Sequence, residues 1–125
     1  MFKDSKAFSS FSVDDIQQAK KFYETTLGVD VLEIAEGLQL RLAGGAEVFI
    51  YPKGDHHQPA RFTILNFVVS DINEVVEDLT QKGVQFEQYD FMKTDEKGIS
   101  KQGDRSMAWF KDPAGNILSV IQDSR

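Results

Sequence analysis

"FSVDDI" occupies Phe11 to Ile16, and "FVVSDI" occupies Phe67 to Ile72. Phe, Val, Asp and Ile recur at the same internal spacing, 56 positions apart in a chain of 125 residues. Each segment reads as an apolar strand running into a helix start. Asp15 is followed three residues later by Gln18, and Asp71 by Glu74. An acceptor followed by Gln or Glu at that spacing is the capping-box pattern, which satisfies otherwise orphaned backbone N–H groups. Behind the first cap, Ile16, Ala19, Phe22, Tyr23 and Leu27 form an apolar stripe at helical spacing. Behind the second, Ile72, Val75, Val76 and Leu79 do the same. Gly28 and Gly83 end the two helices, where a left-handed cap costs least. The first helix is one residue longer than the second.

The segments after each helix also correspond. "VDVLEIA", "LQLRL" and "EVFIY" read as three short strands, with turns at Glu36-Gly37 and Gly44-Gly45. In the second half "VQFEQY", "SMAWF" and "ILSVI" fill the same places, and "DPAGN" (Asp112 to Asn116) supplies a hairpin connection. The expected fold is α+β: a βαβββ module written twice and joined through "PKGDHHQPAR". A single domain over residues 1–125 is expected, with module one at about 7–53 and module two at about 61–122. One departure from the duplication is the polar stretch "DFMKTDEKGISKQGDR" (Asp90 to Arg105), read either as a flap over a site or as a solvated excursion.

Strand alternation assigns faces. Phe11 and Val13 are expected under the first helix, leaving Phe8, Ser10 and Ser12 on the other face. Leu65, Phe67 and Val69 are expected under the second helix, with Ile64, Asn66 and Val68 facing away. A face that mixes Ser10, Ser12 and Asn66 with Phe8, Ile64 and Val68 is read as a small-molecule pocket ahead of a dimer interface or a hydrated groove.

Composition narrows the partners. The net charge is −6, so a phosphate-backbone partner is disfavoured and no nucleic-acid role is expected. No apolar run approaches the roughly 20 residues that span a bilayer. The stretch "MFKDSKAFSS" lacks the apolar segment of a secretory signal, and a cytoplasmic location is expected. With no cysteine, disulfides, thiolate nucleophiles and cysteine metal ligands are all excluded. Both histidines, His56 and His57, lie in the connector, so no Ser–His–Asp order is expected. "AGGAE" is too short for a nucleotide loop.

The chain resembles the vicinal oxygen chelate superfamily, which comprises glyoxalases, bleomycin-resistance proteins and extradiol dioxygenases. The resemblance runs from "FSSFSVDDIQQAKKFYETTLG" through "FKDPAGNILSVI", with "FYETTLG" and "DPAGN" its most specific elements. It implies paired βαβββ modules curled into a U-shaped mixed sheet around a cleft. In metal-using members four inward positions supply His, Gln or Glu to a divalent cation. Counted along this chain they fall at Phe8, Ile50 (with Val48 or Phe49 one residue away), Ile64 and Ser119. None offers imidazole or carboxylate, and a hydroxyl cannot replace three lost donors. No metal and no other cofactor is therefore expected, and His56-His57 with Asp55, or Glu47 alone, make poor substitutes.

The function implied is a metal-independent small-molecule-binding protein, with antibiotic sequestration as its specific form. The alternative is a metal-dependent lyase resembling lactoylglutathione lyase, or a dioxygenase, whose ligands lie elsewhere. No catalytic residue is assigned, although Tyr89, Asp104 and Arg105 near the polar excursion are the acid/base candidates if a reaction occurs. Candidate ligand contacts are Ser10, Ser12, Arg41, Asn66, Trp109 and Ser119, Trp109 being the only indole. A homodimer is expected, because open sheet edges invite cover. The acidic balance suggests a flat neutral or cationic ligand over an anionic one.

Overall fold

The computed structural model describes residues 1–123. The chain divides into two compact units, residues 1–58 and the chain from Pro59 onward. Each unit holds one four-stranded mixed sheet and one principal helix, so the fold is α+β with a repeated module.

In the first unit the strands are β1 (Ser9–Val13), β2 (Asp30–Ile34), β3 (Gly37–Arg41) and β4 (Glu47–Pro52). Their order is β1-β4-β3-β2, with β1 parallel to β4 and the other pairs antiparallel. Helix α1 spans Ile16–Lys21. The Asp15 carboxylate accepts from the Gln17 and Gln18 amides at 3.0 and 3.2 Å. The Asp15 N–H donates to the Asp14 carboxylate at 2.9 Å, so Gln18 has no donor left to capture and the box closes on its forward side only.

Beyond Lys21 the helix widens into one π turn, Phe22–Thr26, marked by the Leu27 N–H reaching the Phe22 carbonyl at 2.9 Å. A π turn accommodates one extra residue, which accounts for the longer first helix. It also seats Tyr23, fully buried, with its ring 6.1 Å from Phe11 and 5.3 Å from Phe22. Val13, Leu38, Leu40, Val48 and Ile50 complete this helix-side core. Gly37 closes the β2–β3 turn where any side chain would collide: a Cβ there would stand 2.1 Å from the Ile50 carbonyl oxygen.

In the second unit the strands are β5 (Thr63–Val68), β6 (Ile99–Gln102), β7 (Arg105–Lys111) and β8 (Ile117–Asp123). The order β5-β8-β7-β6 repeats that of the first unit, again with one parallel pair, β5 and β8. Helix α2 (Ile72–Gln81) is capped by the Asp71 carboxylate, which accepts from the Glu74 amide at 3.2 Å. Its start is tied to the sheet by the Ile72 N–H donating to the Gln122 side chain at 2.7 Å. Ile72, Val76 and Leu79 are buried, as are Ala108, Phe110, Leu118 and Val120 of the sheet.

The sixth strand differs from the sequence expectation. "VQFEQY" makes only one bridge, Phe86 opposite Phe110, with the Glu87 N–H donating to the Trp109 carbonyl at 2.8 Å. The chain then leaves the β7 edge and returns as β6, inside the stretch read as an excursion. That departure is organised. Asp95 accepts from the Lys97 and Ile99 amides, both at 2.9 Å, and the Tyr89 N–H donates to Thr94 at 3.1 Å. Among the described residues no helix is long and apolar enough to cross a membrane.

Candidate functional site

Register decides which side chains share a face. In the first unit Ser10 lies opposite Phe49, Ser12 opposite Tyr51, and Arg41 opposite both Glu47 and Asp30. By strand alternation all of these stand on the sheet face away from the helix. Phe49 and Tyr51 confirm it by stacking at 5.8 Å. Ser10 and Arg41 are exposed; Ser12 is half-buried with its Oγ 2.7 Å from His57 Nδ1, which ties the connector to β1. The cavity on this face, lined by Phe8, Ile34, Gln39, Glu47 and Phe49, measures about 180 Å³. That is below the roughly 300 Å³ at which drug-sized pockets begin.

The second unit sets three candidates in one row. Asn66 pairs with Ser119 and Ser119 with Trp109 across β5, β8 and β7. The buried Ser119 hydroxyl donates to the Asn66 side-chain carbonyl, so both polar groups are satisfied by each other. Trp109 is 7% exposed, and its ring meets Tyr89 edge-on at 5.6 Å. Ser10, Ser12 and Arg41 thus gather on one unit, and Asn66, Trp109 and Ser119 on the other.

Beside Trp109 opens a cavity of about 660 Å³, walled by Phe62, Tyr89, Phe91 and Met92 with Arg61 and Lys111 among its polar groups. This volume is well inside the drug-sized range. A further cavity of about 540 Å³ lies by the end of α2, lined by Val76, Val84 and Phe86 together with Glu77, Gln81, Gln85, Gln88, Glu96 and Lys97, and it contains none of the residues expected to contact a ligand. Burial holds the Tyr89 phenol above its ordinary pKa, reinforced by the Glu87 charge and opposed by Lys111, so Tyr89 is a neutral donor near pH 7.

Arg61, Phe62, Phe91 and Lys111 were not legible as site residues. They flank two turns and a loop, and only the pairing of β5, β8 and β7 brings them around Trp109. The "DPAGN" turn, with Asp112 and Asn116 buried, borders this cavity through Gly115. Asp112 accepts from the Ala114 and Asn116 amides at 3.0 and 2.8 Å and from the Asn116 side chain at 3.0 Å. Gly115, at φ 85°, is also a place where a Cβ would press to 3.3 Å from Pro59.

Residues 8–120 match the family model of the Glyoxalase/Bleomycin resistance protein/Dioxygenase superfamily. The chain belongs to this superfamily. Among solved structures it is similar to TnmS3, an antibiotic binding protein from Streptomyces sp. CB03234, at 23% identity and a TM-score of 0.71, covering 97% of this chain and 98% of that one. A glyoxalase family protein from Bacillus anthracis aligns at 20% identity and a TM-score of 0.70, covering 98% and 99%. A glyoxalase family protein from Enterococcus faecalis aligns at 27% identity and 0.66, covering 97% and 99%. No curated protein matches the chain.

For this superfamily the donor set decides whether a catalytic metal fits. Phe8 directly precedes β1, Ile64 falls at an irregularity in the β5–β8 register between Thr63 and Leu65, and Ser119 pairs with Asn66 and Trp109. Ile50 does not face the same way as Ser10 and Ser12. It pairs with Phe11 and Leu38 and is fully buried on the helix side, so the fourth-strand position on the far face belongs to Phe49. At the positions the resemblance implies, two phenyl rings, a sec-butyl side chain and one hydroxyl would not fit a divalent cation. Glu47 is committed to Gln39, whose side-chain amide donates to it at 2.7 Å. Among the described residues no three His, Cys, Asp or Glu side chains are gathered as a metal site.

Proposed function

We propose that this chain is a metal-independent small-molecule-binding member of the superfamily, and that its ligand lies against the Trp109 wall of the second unit. What supports the reading is that Phe8, Phe49, Ile64 and Ser119, the positions at which the family resemblance would put metal donors, offer neither imidazole nor carboxylate. A site that has exchanged donors for apolar surface gains affinity from burial, at roughly 25 cal/mol for each Å² of apolar area covered. The cavity beside Trp109 supplies such surface, with Tyr89 and Met92 on its walls. Of the six expected contacts, Trp109 is the one proposed for this cavity, whose lining includes neither Asn66 nor Ser119.

Antibiotic sequestration is the specific form of this proposal, supported by the similarity to TnmS3, described as an antibiotic binding protein. We propose a cytoplasmic homodimer, since each sheet ends in strands paired on one side only, β1 and β2 in one and β5 and β6 in the other. Native mass spectrometry of gently purified protein tests these together. The expected result is a species of twice 14.1 kDa that carries organic adducts and no metal. A monomer would remove the dimer, and one Ni, Zn, Mn or Fe per chain would overturn the binding-protein reading.

A further inference from the structure

The charge of the Trp109 cavity is opposite in sign to that of the chain. Its charged lining consists of two cations, Arg61 and Lys111, against one carboxylate, Glu87, whereas the whole chain carries −6. Lys111 is already engaged with Glu87 at 3.4 Å. Arg61 is exposed and has no ion pair among the described residues. A guanidinium is a planar fork of donors matched to a carboxylate, and it stays charged at any working pH.

The apolar half of the same wall is equally uncovered. Phe62 is 68% and Phe91 81% exposed, and both line this cavity. Phenyl rings standing in water beside a cavity are the surface that a planar ligand would cover most favourably. Tyr89, a phenol held in its neutral form, adds a hydrogen-bond donor near Trp109.

We infer that the ligand class is a planar aromatic compound bearing one ionised acidic group, its rings against Phe62, Phe91 and Tyr89 and its anion received by Arg61. This rests on the reading of the Trp109 cavity as the ligand site. It reverses the preference for a neutral or cationic ligand that net charge alone suggests, because the field within a cavity is set by the groups lining it. At the roughly 8 Å Debye length of physiological salt, distant surface carboxylates are screened.

Three probes of one shape separate the possibilities: naphthoate, naphthamide and naphthylmethylammonium, titrated into the full chain by calorimetry. Naphthoate should bind roughly fivefold more tightly than naphthamide, the gain of one charge-assisted contact in a partly open site, with the cation weakest. Arg61→Gln should bring naphthoate to the level of naphthamide while leaving naphthamide within about twofold of its starting affinity. Arg61→Lys, which keeps the charge and loses the fork, should retain part of the preference. Equal or reversed affinities in the parent chain, or an anion preference that survives Arg61→Gln, would overturn the inference and leave the pocket standing. Binding of none of the three by folded protein would overturn the pocket itself, and this inference with it.

Discussion

Replacing Asp112 by alanine tests whether the "DPAGN" turn holds the second unit together as the geometry indicates. Asp112 is 4% exposed, and its carboxylate accepts from the Ala114 amide, the Asn116 amide and the Asn116 side chain. Each such bond contributes about 1 kcal/mol net, and donors left unsatisfied in a buried turn add to the loss, so the total is about 3–4 kcal/mol. Against a typical domain stability of about 5–15 kcal/mol, that is a large fraction. Asp112→Asn is the informative partner. It keeps an acceptor for the two backbone amides but turns an NH₂ toward the Asn116 NH₂, so it should cost only about 1–2 kcal/mol. Urea unfolding followed by Trp109 emission and by far-ultraviolet circular dichroism measures both variants. If alanine costs less than about 1 kcal/mol, the carboxylate is not what orders the turn; if asparagine costs as much as alanine, the two backbone amides held on one oxygen are not where its contribution lies.

Two further outcomes follow from particular contacts. Gly37→Ala should destabilise by about 2–4 kcal/mol, because its Cβ would meet the Ile50 carbonyl and a backbone must shift. Gly28→Ala, with φ 72° but open space around it, should cost only about 1 kcal/mol, and equal unfolding midpoints for the two would refute the argument. The Tyr89 phenol, raised above the ordinary 10.0 mainly by burial, contributes stability that is fully present below its unfolded value and is lost as pH rises through the folded one. Tyrosinate absorbance should show a late-titrating phenol in the parent that is missing in Tyr89→Phe; a titration curve whose late part is unchanged in that variant would contradict this.

The repeat was legible because its signals are local. Asp15 and Asp71 cap, the apolar stripes follow at helical spacing, and glycines stop both helices. The π turn was legible only as a one-residue surplus, since the bond from Leu27 to Phe22 depends on how Tyr23 seats against Phe11. The sixth strand was misplaced because "VQFEQY" alternates as well as any strand. Whether such a segment pairs along its length or at one bridge depends on the neighbouring edge, and here β7 receives Phe86 and then Ile99. The fourth-strand position shows the same limit on a smaller scale: Ile50 and Phe49 are adjacent in sequence, and only pairing with Phe11 and Ser10 assigns their faces. Arg61 carried no signal in a polar connector, and its relation to Trp109 exists only in the assembled sheet.

The central claim is ligand binding without a metal, and calorimetric titration of naphthoate tests it most directly when run in two arms. One arm uses protein stripped by a chelator, and the other the same protein with an equimolar amount of nickel or zinc. The account predicts saturable binding with the same Kd in both arms. Heat of binding seen only in the metal arm, with the ion retained by the chain after dialysis, would contradict it.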